Sequence, residues 1–520
     1  MWPINNNIHY KNNKSMKKVL LISLIMTLLP LAEAKASVAI TEANFPDAIF
    51  RAYVASATID TDQDGWLSDE EIQAAKIIDV RSMSIKSLKG IEFFTEMTWL
   101  SCRQNELTEL DLSKNTKLVK CYCWENQLTQ LNVTGCSQLT DLVCNNNQLT
   151  RLDVSGCAKL DTLWCYTNQL TELDVTGCTQ MIDLECNNNQ LTRLDVSGCS
   201  KLAKLYCWEN QITELDVSKC TQLTNLECSM NSLTKLNTSG CTRLAYLHCW
   251  NNQITELDVS KCNQLTDLEC NNNQLTKLDV SGCAKLDTLW CYTNQLTELD
   301  VTKCPQLTSL SCPQNSLTKL DVTKCRQLTL LLTHRNQISE LDVSECTQLK
   351  SLGCNDNLLT KLDVSNCPSL YELSCQRNQI KELKPAKNGD LTELYCHMNE
   401  LNGKAMDDLI GSLPTQENAF ICVVNTDQGD NEHNICTKEH VTAANAKGWT
   451  AYQWINNDWA VYEGSDPSAI SVVPADKDNR TAPVYDLQGR RIRSASPLGS
   501  SKNGPQKGIM IQGGKKILVR

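Results

Sequence analysis

Residues 139–159 read LTDLVCNNNQLTRLDVSGCAK, and this 21-residue stretch is one copy of a unit that recurs along most of the chain. In steps of 21 residues from Met97, an aliphatic residue occurs 15 times without a gap. Asparagine occupies the ninth position of every unit, first at Asn105 and last at Asn399. Self-similarity at a fixed short period is typical of solenoids, in which each repeat forms one coil. The pattern therefore predicts an array of 15 coils over residues 97–403.

The unit can be written L-x-x-L-x-C-x-x-N-x-L-T-x-L-D-V-S-G-C-x-x, with apolar residues at positions 1, 4, 6, 11, 14 and 16. This unit resembles the leucine-rich repeat family, whose LxxLxLxxNxL segment forms a short strand followed by a turn. The 21-residue length and the LDVS half are most similar to the internalin group of bacterial surface proteins, and the resemblance covers roughly 97–401. It implies an α/β repeat fold, a right-handed solenoid with a parallel β-sheet on its concave face. We expect the repeated asparagines to be structural, with buried amides that satisfy turn backbone groups of their own and the neighbouring coil.

The first 36 residues have the features of a secretory signal peptide. Two lysines precede an apolar run at 19–31, and small residues follow it. This order predicts cleavage after Ala34 or Ala36, with Met16 as the expected start. The apolar run is shorter than the roughly 18–20 residues that a membrane span needs, so we expect no transmembrane helix in the mature chain. The expected location is extracellular or on the outer cell surface. A net charge of −11 gives no support to a nucleic-acid partner.

A second motif lies in the segment 37–96, which is predicted to be a small helical N-terminal cap. Residues 60–71 read DTDQDGWLSDEE and resemble the twelve-residue calcium loop of the EF-hand family. In such loops carboxylates at positions 1, 3 and 5 converge on the ion, glycine at 6 permits a sharp turn, and glutamate at 12 can chelate with two oxygens. The resemblance implies a structural Ca²⁺ with these ligands: Asp60, Asp62, Asp64, Trp66, Ser68 and Glu71. EF-hands usually occur in pairs and this loop is single, so the expected affinity is weak. The alternative is a cap whose aspartates only make turns.

Cysteine is unusually abundant, with 29 residues, and 26 of them fall on two ladders with a 21-residue step. The first ladder starts at Cys102, ends at Cys396 and is broken only at Thr333; the second starts at Cys136 and ends at Cys367. A cysteine that repeats together with the apolar positions faces inward and behaves as a small hydrophobe. Parallel neighbours keep their Cβ atoms about 4.8 Å apart, beyond the usual disulfide range near 3.8 Å. We therefore expect unpaired core thiols, with disulfides and a metal site as the alternatives.

Positions 3, 5 and 7 of the unit are predicted to point away from the core, onto the concave face. Their side chains alternate between aromatic coils and acidic or amide-rich coils, so this surface has a period of 42 residues. Exposed aromatic rings between carboxylates are typical of surfaces that anchor partners. We predict a ligand-binding stripe made of Tyr122, Trp124, Trp164, Tyr166, Glu185, Tyr206, Trp208, Glu227, Tyr246, His248, Trp250, Glu269, Trp290 and Tyr292. The alternative is that the ladder of large side chains only stabilises the stacked strands.

The regular unit ends near residue 401, and 404–463 is predicted to be an α+β cap over the open apolar end. Cys422 and Cys436 lie in this cap, outside the ladders, and could form one disulfide. Residues 464–482 resemble a linker. Strand-like pieces in 483–520 then resemble the C-terminal sorting domain of the type IX secretion pathway, with YDLxGR and a terminal GKKxxV. That resemblance implies secretion machinery as a partner, whereas the alternative is a small β domain of no known role.

The sequence contains no pattern that predicts an enzyme. None of the six histidines stands at a metal-binding spacing or beside a nucleophile motif, and a repeating row of carboxylates offers no unique acid–base pair. The leading hypothesis is a secreted or cell-surface recognition protein that binds a protein or glycan along its concave face. Adhesion to a host or neighbouring cell is what the internalin resemblance implies. The alternative is a structural surface spacer with no dedicated ligand.

Overall fold

The computed structural model describes residues 37–386, 388–427 and 432–466, together with four short strands between 484 and 519. The predicted signal peptide, most of the predicted linker and the loops of the C-terminal β domain lie outside the described residues. The chain divides into two units, Met1–Leu233 and Thr234–Arg520. No helix among the described residues is both long and apolar enough to cross a membrane.

The first unit begins with the cap. It contains two helices, Ala48–Val54 and Asp69–Ala74, a 3-10 helix, Ile91–Phe93, and a short antiparallel pair formed by Val38–Ala39 and Trp66–Leu67. Phe45 and Phe50 are fully buried and pack edge to face, with ring centroids 5.9 Å apart. The cap therefore has an aromatic core of its own before the repeats begin.

A parallel sheet with one three-residue strand per coil follows in the first unit. Each strand pairs in register with the strand 21 residues later, and the first of them pairs with a strand of the cap. The strands are Ile77–Asp79, Trp99–Ser101, Lys120–Tyr122, Asp141–Val143, Thr162–Trp164, Asp183–Glu185, Lys204–Tyr206 and Asn225–Glu227. A second row of short strands lies half a coil away, at Glu109–Asp111, Gln130–Asn132 and Glu214–Asp216.

The second unit has the same architecture. Its sheet strands are Tyr246–His248, Asp267–Glu269, Thr288–Trp290, Ser309–Ser311, Leu330–Leu332, Ser351–Gly353, Glu372–Ser374 and Glu393–Tyr395. Its second row contains Lys235–Asn237, Lys361–Asp363 and Glu382–Lys384. The predicted parallel solenoid of 15 coils is thus confirmed, and each strand covers positions 3 to 5 of its unit.

The second unit continues into the C-terminal cap. Strands Ala419–Asn425 and Trp449–Ile455 extend the parallel sheet, and Asp458–Val461 adds an antiparallel edge strand. Helix Lys404–Ser412 precedes the first of these strands in the chain, and helix Lys438–Asn445 lies between the first and the second. Trp449 is fully buried and its Nε1 donates to the carbonyl of Pro414 at 2.8 Å. Four further strands form an antiparallel sheet in the order Arg491–Arg493, Val484–Tyr485, Gly508–Gln512 and Lys515–Val519.

The repeated asparagines clamp each coil to the preceding one. Asn147 Nδ2 donates to the carbonyl of Cys144 in its own coil at 3.0 Å and to that of Cys123 in the previous coil at 3.1 Å. Its Oδ1 accepts from the backbone N–H of Leu128 at 3.0 Å. The same contacts recur at Asn273 in the second unit. One buried amide therefore satisfies backbone groups of two coils, which confirms the structural role predicted for this position.

All 29 cysteines are buried, and none of them forms a disulfide. Thiols of the second ladder donate to the valine carbonyl 24 residues earlier, as Cys199 does to Val175 at 3.4 Å. At the break in the first ladder, Thr333 is also buried and its hydroxyl donates to the carbonyl of Gly353 at 3.4 Å. The suggested disulfide between Cys422 and Cys436 was wrong. Cys422 lies within a sheet strand, where its thiol donates to a backbone carbonyl instead of meeting its proposed partner.

Candidate functional site

The predicted stripe lies on the face of the sheet that points away from the leucine core, and we call positions 3, 5 and 7 of the coils the sheet face. In each strand the central residue, at position 4, is buried and its two neighbours are directed outward. All 14 predicted side chains occur on this face, in the first unit or the second. Thirteen of them are half-buried and only Tyr246 is exposed, at 46%. The rings therefore form the surface itself and do not protrude from it.

Strand pairing brings aromatic and acidic side chains next to one another in a fixed order. Across the first unit, position 5 reads Tyr122, Val143, Trp164, Glu185, Tyr206 and Glu227. In the second unit the corresponding order is His248, Glu269, Trp290 and Ser311. Neighbouring parallel strands lie about 4.8 Å apart, so successive aromatic rungs within a unit are about 10 Å apart. Trp99 and Tyr122, in neighbouring coils, pack edge to face with ring centroids 5.8 Å apart. Among the described residues of the first unit, no such contact joins the stripe coils of Tyr122, Trp164 and Tyr206 to one another.

The acidic coils hold carboxylates in an unfavourable environment. Burial and the nearby charge of Asp183 raise the pKa of Glu185 to about 7. Burial also raises the pKa of Asp183, although the ammonium group of Lys204 lies 3.6 Å from this carboxylate. Half-buried carboxylates with raised pKa values favour the approach of a cation or a basic side chain, because either would stabilise their charged form.

Hydrogen bonds and one buried side chain fix the conformation of the calcium-like loop at 60–71. Asp60 Oδ2 accepts from the backbone N–H of Gly65 at 3.1 Å, and Gly65 has a φ of 82°, which glycine adopts without strain. Asp64 Oδ1 accepts from the N–H of Trp66 at 2.7 Å. Leu67 is buried in the cap core, at the strand that pairs with Val38–Ala39. This short strand pair joins the loop to the rest of the cap.

The structure brings together only part of the predicted ligand set. Carboxylate oxygens of Asp60, Asp62 and Glu71 lie within 4.8 Å of one another, and Asp60 Oδ1 is buried without a hydrogen-bond partner among the described residues. Asp64 does not join this cluster. Ser68 acts as the N-cap of helix Asp69–Ala74, with its hydroxyl hydrogen-bonded to Glu71.

Glu71 is the most strongly held member of this cluster. Its carboxylate accepts from the backbone N–H groups of Thr61 at 2.6 Å and Ser68 at 2.9 Å, and from both of their hydroxyls. Burial opposes ionisation, but these hydrogen bonds outweigh it and lower the pKa of Glu71 to about 2. The loop thus presents a fixed negative charge beside the unsatisfied oxygen of Asp60.

Two features escaped the sequence analysis. The first is a groove of about 1460 Å³ in the first unit, lined by the second row of strands, where Arg151 pairs with Glu172 at 3.4 Å. The second is a cluster of His248, Asp267 and Glu269, whose ligand atoms lie within 4.8 Å of one another. Sequence spacing could not indicate this cluster, because His248 is separated from Asp267 and Glu269 by 19 and 21 positions and only the stacking of coils brings the three residues together.

A parallel solenoid with one short strand per 21-residue coil and an asparagine ladder defines a leucine-rich repeat protein. A family model described as leucine-rich repeats in two copies matches residues 242–282. The functional domain of InlJ from Listeria monocytogenes, a structure whose description includes a cysteine ladder, is 34% identical and has a TM-score of 0.59. The match covers 76% of this chain and 83% of that one. The chain belongs to the internalin-type leucine-rich repeat family.

Two further relatives belong to the same group. Internalin J of Listeria monocytogenes serotype 4b is 41% identical over 72 residues, which are 14% of this chain and only 8% of that protein. The structure of the internalin InlF from the same species is 22% identical with a TM-score of 0.47, and the match covers 70% of this chain and 98% of that one.

Proposed function

We propose that this protein is a surface or secreted recognition protein that binds a protein ligand with basic residues along its sheet face. The observation that carries the proposal is the strand register, which alternates aromatic rings with carboxylates at half-buried positions. A rigid row of this kind loses little conformational entropy when it binds. Aromatic side chains contribute large contact areas, and carboxylates orient a partner of opposite charge.

The raised pKa of Glu185 supports a basic ligand. This carboxylate is destabilised by burial and by Asp183, and a lysine or arginine of the ligand would relieve that cost on binding. The alternative role as a spacer explains the aromatic side chains only by their packing on each other. Ring packing between neighbouring coils occurs at Trp99 and Tyr122, but none joins the stripe coils of Tyr122, Trp164 and Tyr206 in the described part of the first unit, so ring packing alone does not account for the repeated aromatic residues.

The triple variant Trp164→Ala, Trp208→Ala and Trp250→Ala is expected to lose at least about 100-fold in affinity for the ligand, because each truncated anchor of this kind costs roughly 1–2 kcal/mol. The measurement is capture of surface proteins by the purified chain, followed by titration of the captured partner. Glycan-array binding tests the second candidate class of ligand.

The matched control is Trp459→Ala, which removes an exposed tryptophan from the C-terminal cap, outside the predicted stripe. This variant is expected to bind normally. Undiminished capture by the triple variant would refute the binding stripe. A thermal transition that collapses in the triple variant, with ligand capture lost only together with the fold, would favour ladder stabilisation instead.

We also propose that the loop at 60–71 holds a structural Ca²⁺ through Asp60, Asp62 and Glu71. The buried and unsatisfied Oδ1 of Asp60 supports this assignment, since an ion would complete its coordination. The strand pair between Val38–Ala39 and Trp66–Leu67 supports a cap-stabilising role, because it connects the loop directly to the cap core.

Calcium at 10 mM is expected to stabilise the chain by about 1.4–2.7 kcal/mol, if the dissociation constant is in the 0.1–1 mM range of extracellular modules. Thermal unfolding with and without calcium measures this increment, and Asp60→Asn should abolish it. Asp69→Asn, which changes a carboxylate outside the cluster, should retain it. Equal stabilisation of the wild type and Asp60→Asn, or none in the wild type, would contradict the site.

A further inference from the structure

Three metal-ligating side chains of different coils converge on the sheet face of the second unit. Strand pairing places His248 directly beside Glu269, and Asp267 lies two residues before Glu269 in the same strand. The distance from His248 Nε2 to Asp267 Oδ2 is 3.6 Å. Asp267 Oδ1 is shielded from solvent and has no hydrogen-bond partner among the described residues. All three side chains are half-buried, so the cluster is neither in the core nor fully solvated.

An internal duplication provides a comparison within the same chain. Residues 139–178 recur at 265–304, an offset of 126 residues or six coils, with only three differences. At the same offset, Asp267 corresponds to Asp141, Glu269 to Val143 and His248 to Tyr122. Asp267 and Glu269 lie within the second copy, whereas His248 lies in the coil before it, and of the three residues only the aspartate has an identical counterpart.

The lysine beside Asp141 has no counterpart beside Asp267. Lys120 Nζ lies 3.2 Å from Asp141 Oδ1, whereas the residue 126 positions after Lys120, in the coil before the second copy, is Tyr246. The surroundings of Asp267 thus differ from those of Asp141 at three positions: a cation is absent, and an imidazole and a carboxylate are present.

We propose that His248, Asp267 and Glu269 form a binding site for a divalent transition-metal ion of the zinc type. One imidazole and two carboxylates are a common donor set for such ions, with bond lengths of about 2.0–2.2 Å. Ligand atoms around one zinc lie about 3–3.5 Å apart at those bond lengths. Side-chain rotations that move each ligand atom by about 1 Å therefore bring the three observed atoms to that spacing. The half-buried face leaves the remaining coordination position open to water or to a donor group of a ligand.

The test is zinc binding by the tag-free full chain, measured by competition with a chromogenic chelator. The wild type is expected to bind one zinc per chain at this site. His248→Tyr and Glu269→Val, which restore the residue types of the first copy, are each expected to lose it. Both variants keep all 29 cysteines, so zinc bound adventitiously by thiols would be unchanged in them.

A gain-of-site variant gives an independent readout. The triple change Lys120→Tyr, Tyr122→His and Val143→Glu transfers the second arrangement to the first copy, and it is expected to add one further zinc per chain. Unaltered zinc binding in His248→Tyr and Glu269→Val, or no binding by the wild type, would overturn the proposal. Loss in only one of the two variants would overturn the three-ligand site, provided that both show the wild-type thermal transition.

Discussion

Asn147→Ala is expected to lower the free energy of unfolding by about 3–5 kcal/mol, because one amide bridges two coils. Its loss leaves the buried N–H of Leu128 without a partner. It also removes one of two amide donors from each of the carbonyls of Cys123 and Cys144, which still accept from Asn126 and Asn168. The orphaned N–H costs about 1–3 kcal/mol, and each of the two other lost hydrogen bonds contributes about 0.5–1.5 kcal/mol. The measurement is urea unfolding followed by circular dichroism, with the change read from the first transition that the variant shifts, since a repeat array can unfold in parts.

Gln148→Ala is the matched control for this prediction. Gln148 is the exposed residue that follows Asn147, and its backbone N–H still donates to the carbonyl of Leu128 after the substitution. Its effect should remain within about 0.5 kcal/mol, as for most surface changes. A loss below about 1 kcal/mol in Asn147→Ala would show that water replaces the amide and that the ladder is not a principal source of coil-to-coil stability.

The features that repeat with the 21-residue period could be predicted because stacking gives every copy the same environment. Leucines, asparagines and both cysteine ladders are inward in every coil, and the structure confirms this. A less visible constraint has the same period: position 8 has a φ between 51° and 58° in all 15 coils. Residues as different as Gln104, Thr167 and Met398 adopt it. The residue types at position 8 could not indicate this left-handed turn. The backbone is held there by the hydrogen bonds of the asparagine at position 9, whatever the residue at position 8.

The candidate sites also combine features that could be predicted from the repeat with features that could not. The alternation of aromatic and acidic residues was predictable, since strand side chains alternate and the unit length fixes which residues become neighbours. The half-burial of the aromatic rings could not be predicted, because it depends on the side chains of the flanking coils. The convergence of His248 with Asp267 and Glu269 also depends on pairing between coils. The strand Val38–Ala39, which supports the calcium-like loop, is two residues long and too short to give a sequence pattern.

None of the 29 thiols is expected to react with iodoacetamide in the native chain, and all 29 should react after denaturation without reductant. The ladder thiols are at most 1% exposed. Burial raises the pKa of Cys186 to about 12 and that of Cys165 well above its usual value, so the reactive thiolate is scarce even where reagent enters. Labelling then requires local unfolding. A free energy of local opening of about 4 kcal/mol lowers the labelling rate by about 10³-fold. Mass spectrometry of intact protein counts the labels.

The label count also distinguishes unpaired thiols from disulfides in an exported protein. Gln148→Cys, which adds a thiol at an exposed position, should give one rapid label in the native state and serves as the positive control. Fewer than 29 labels after denaturation would reveal disulfides, and rapid native labelling would reveal an open core.

Disulfides along a ladder would have to draw together side chains that stand parallel on strands about 4.8 Å apart, and would distort the strand spacing that the asparagine amides fix. A thiol that donates to a carbonyl of the preceding coil, as Cys199 does to Val175, is already satisfied without an oxidant. Complete native protection with full labelling after denaturation is therefore the expected result.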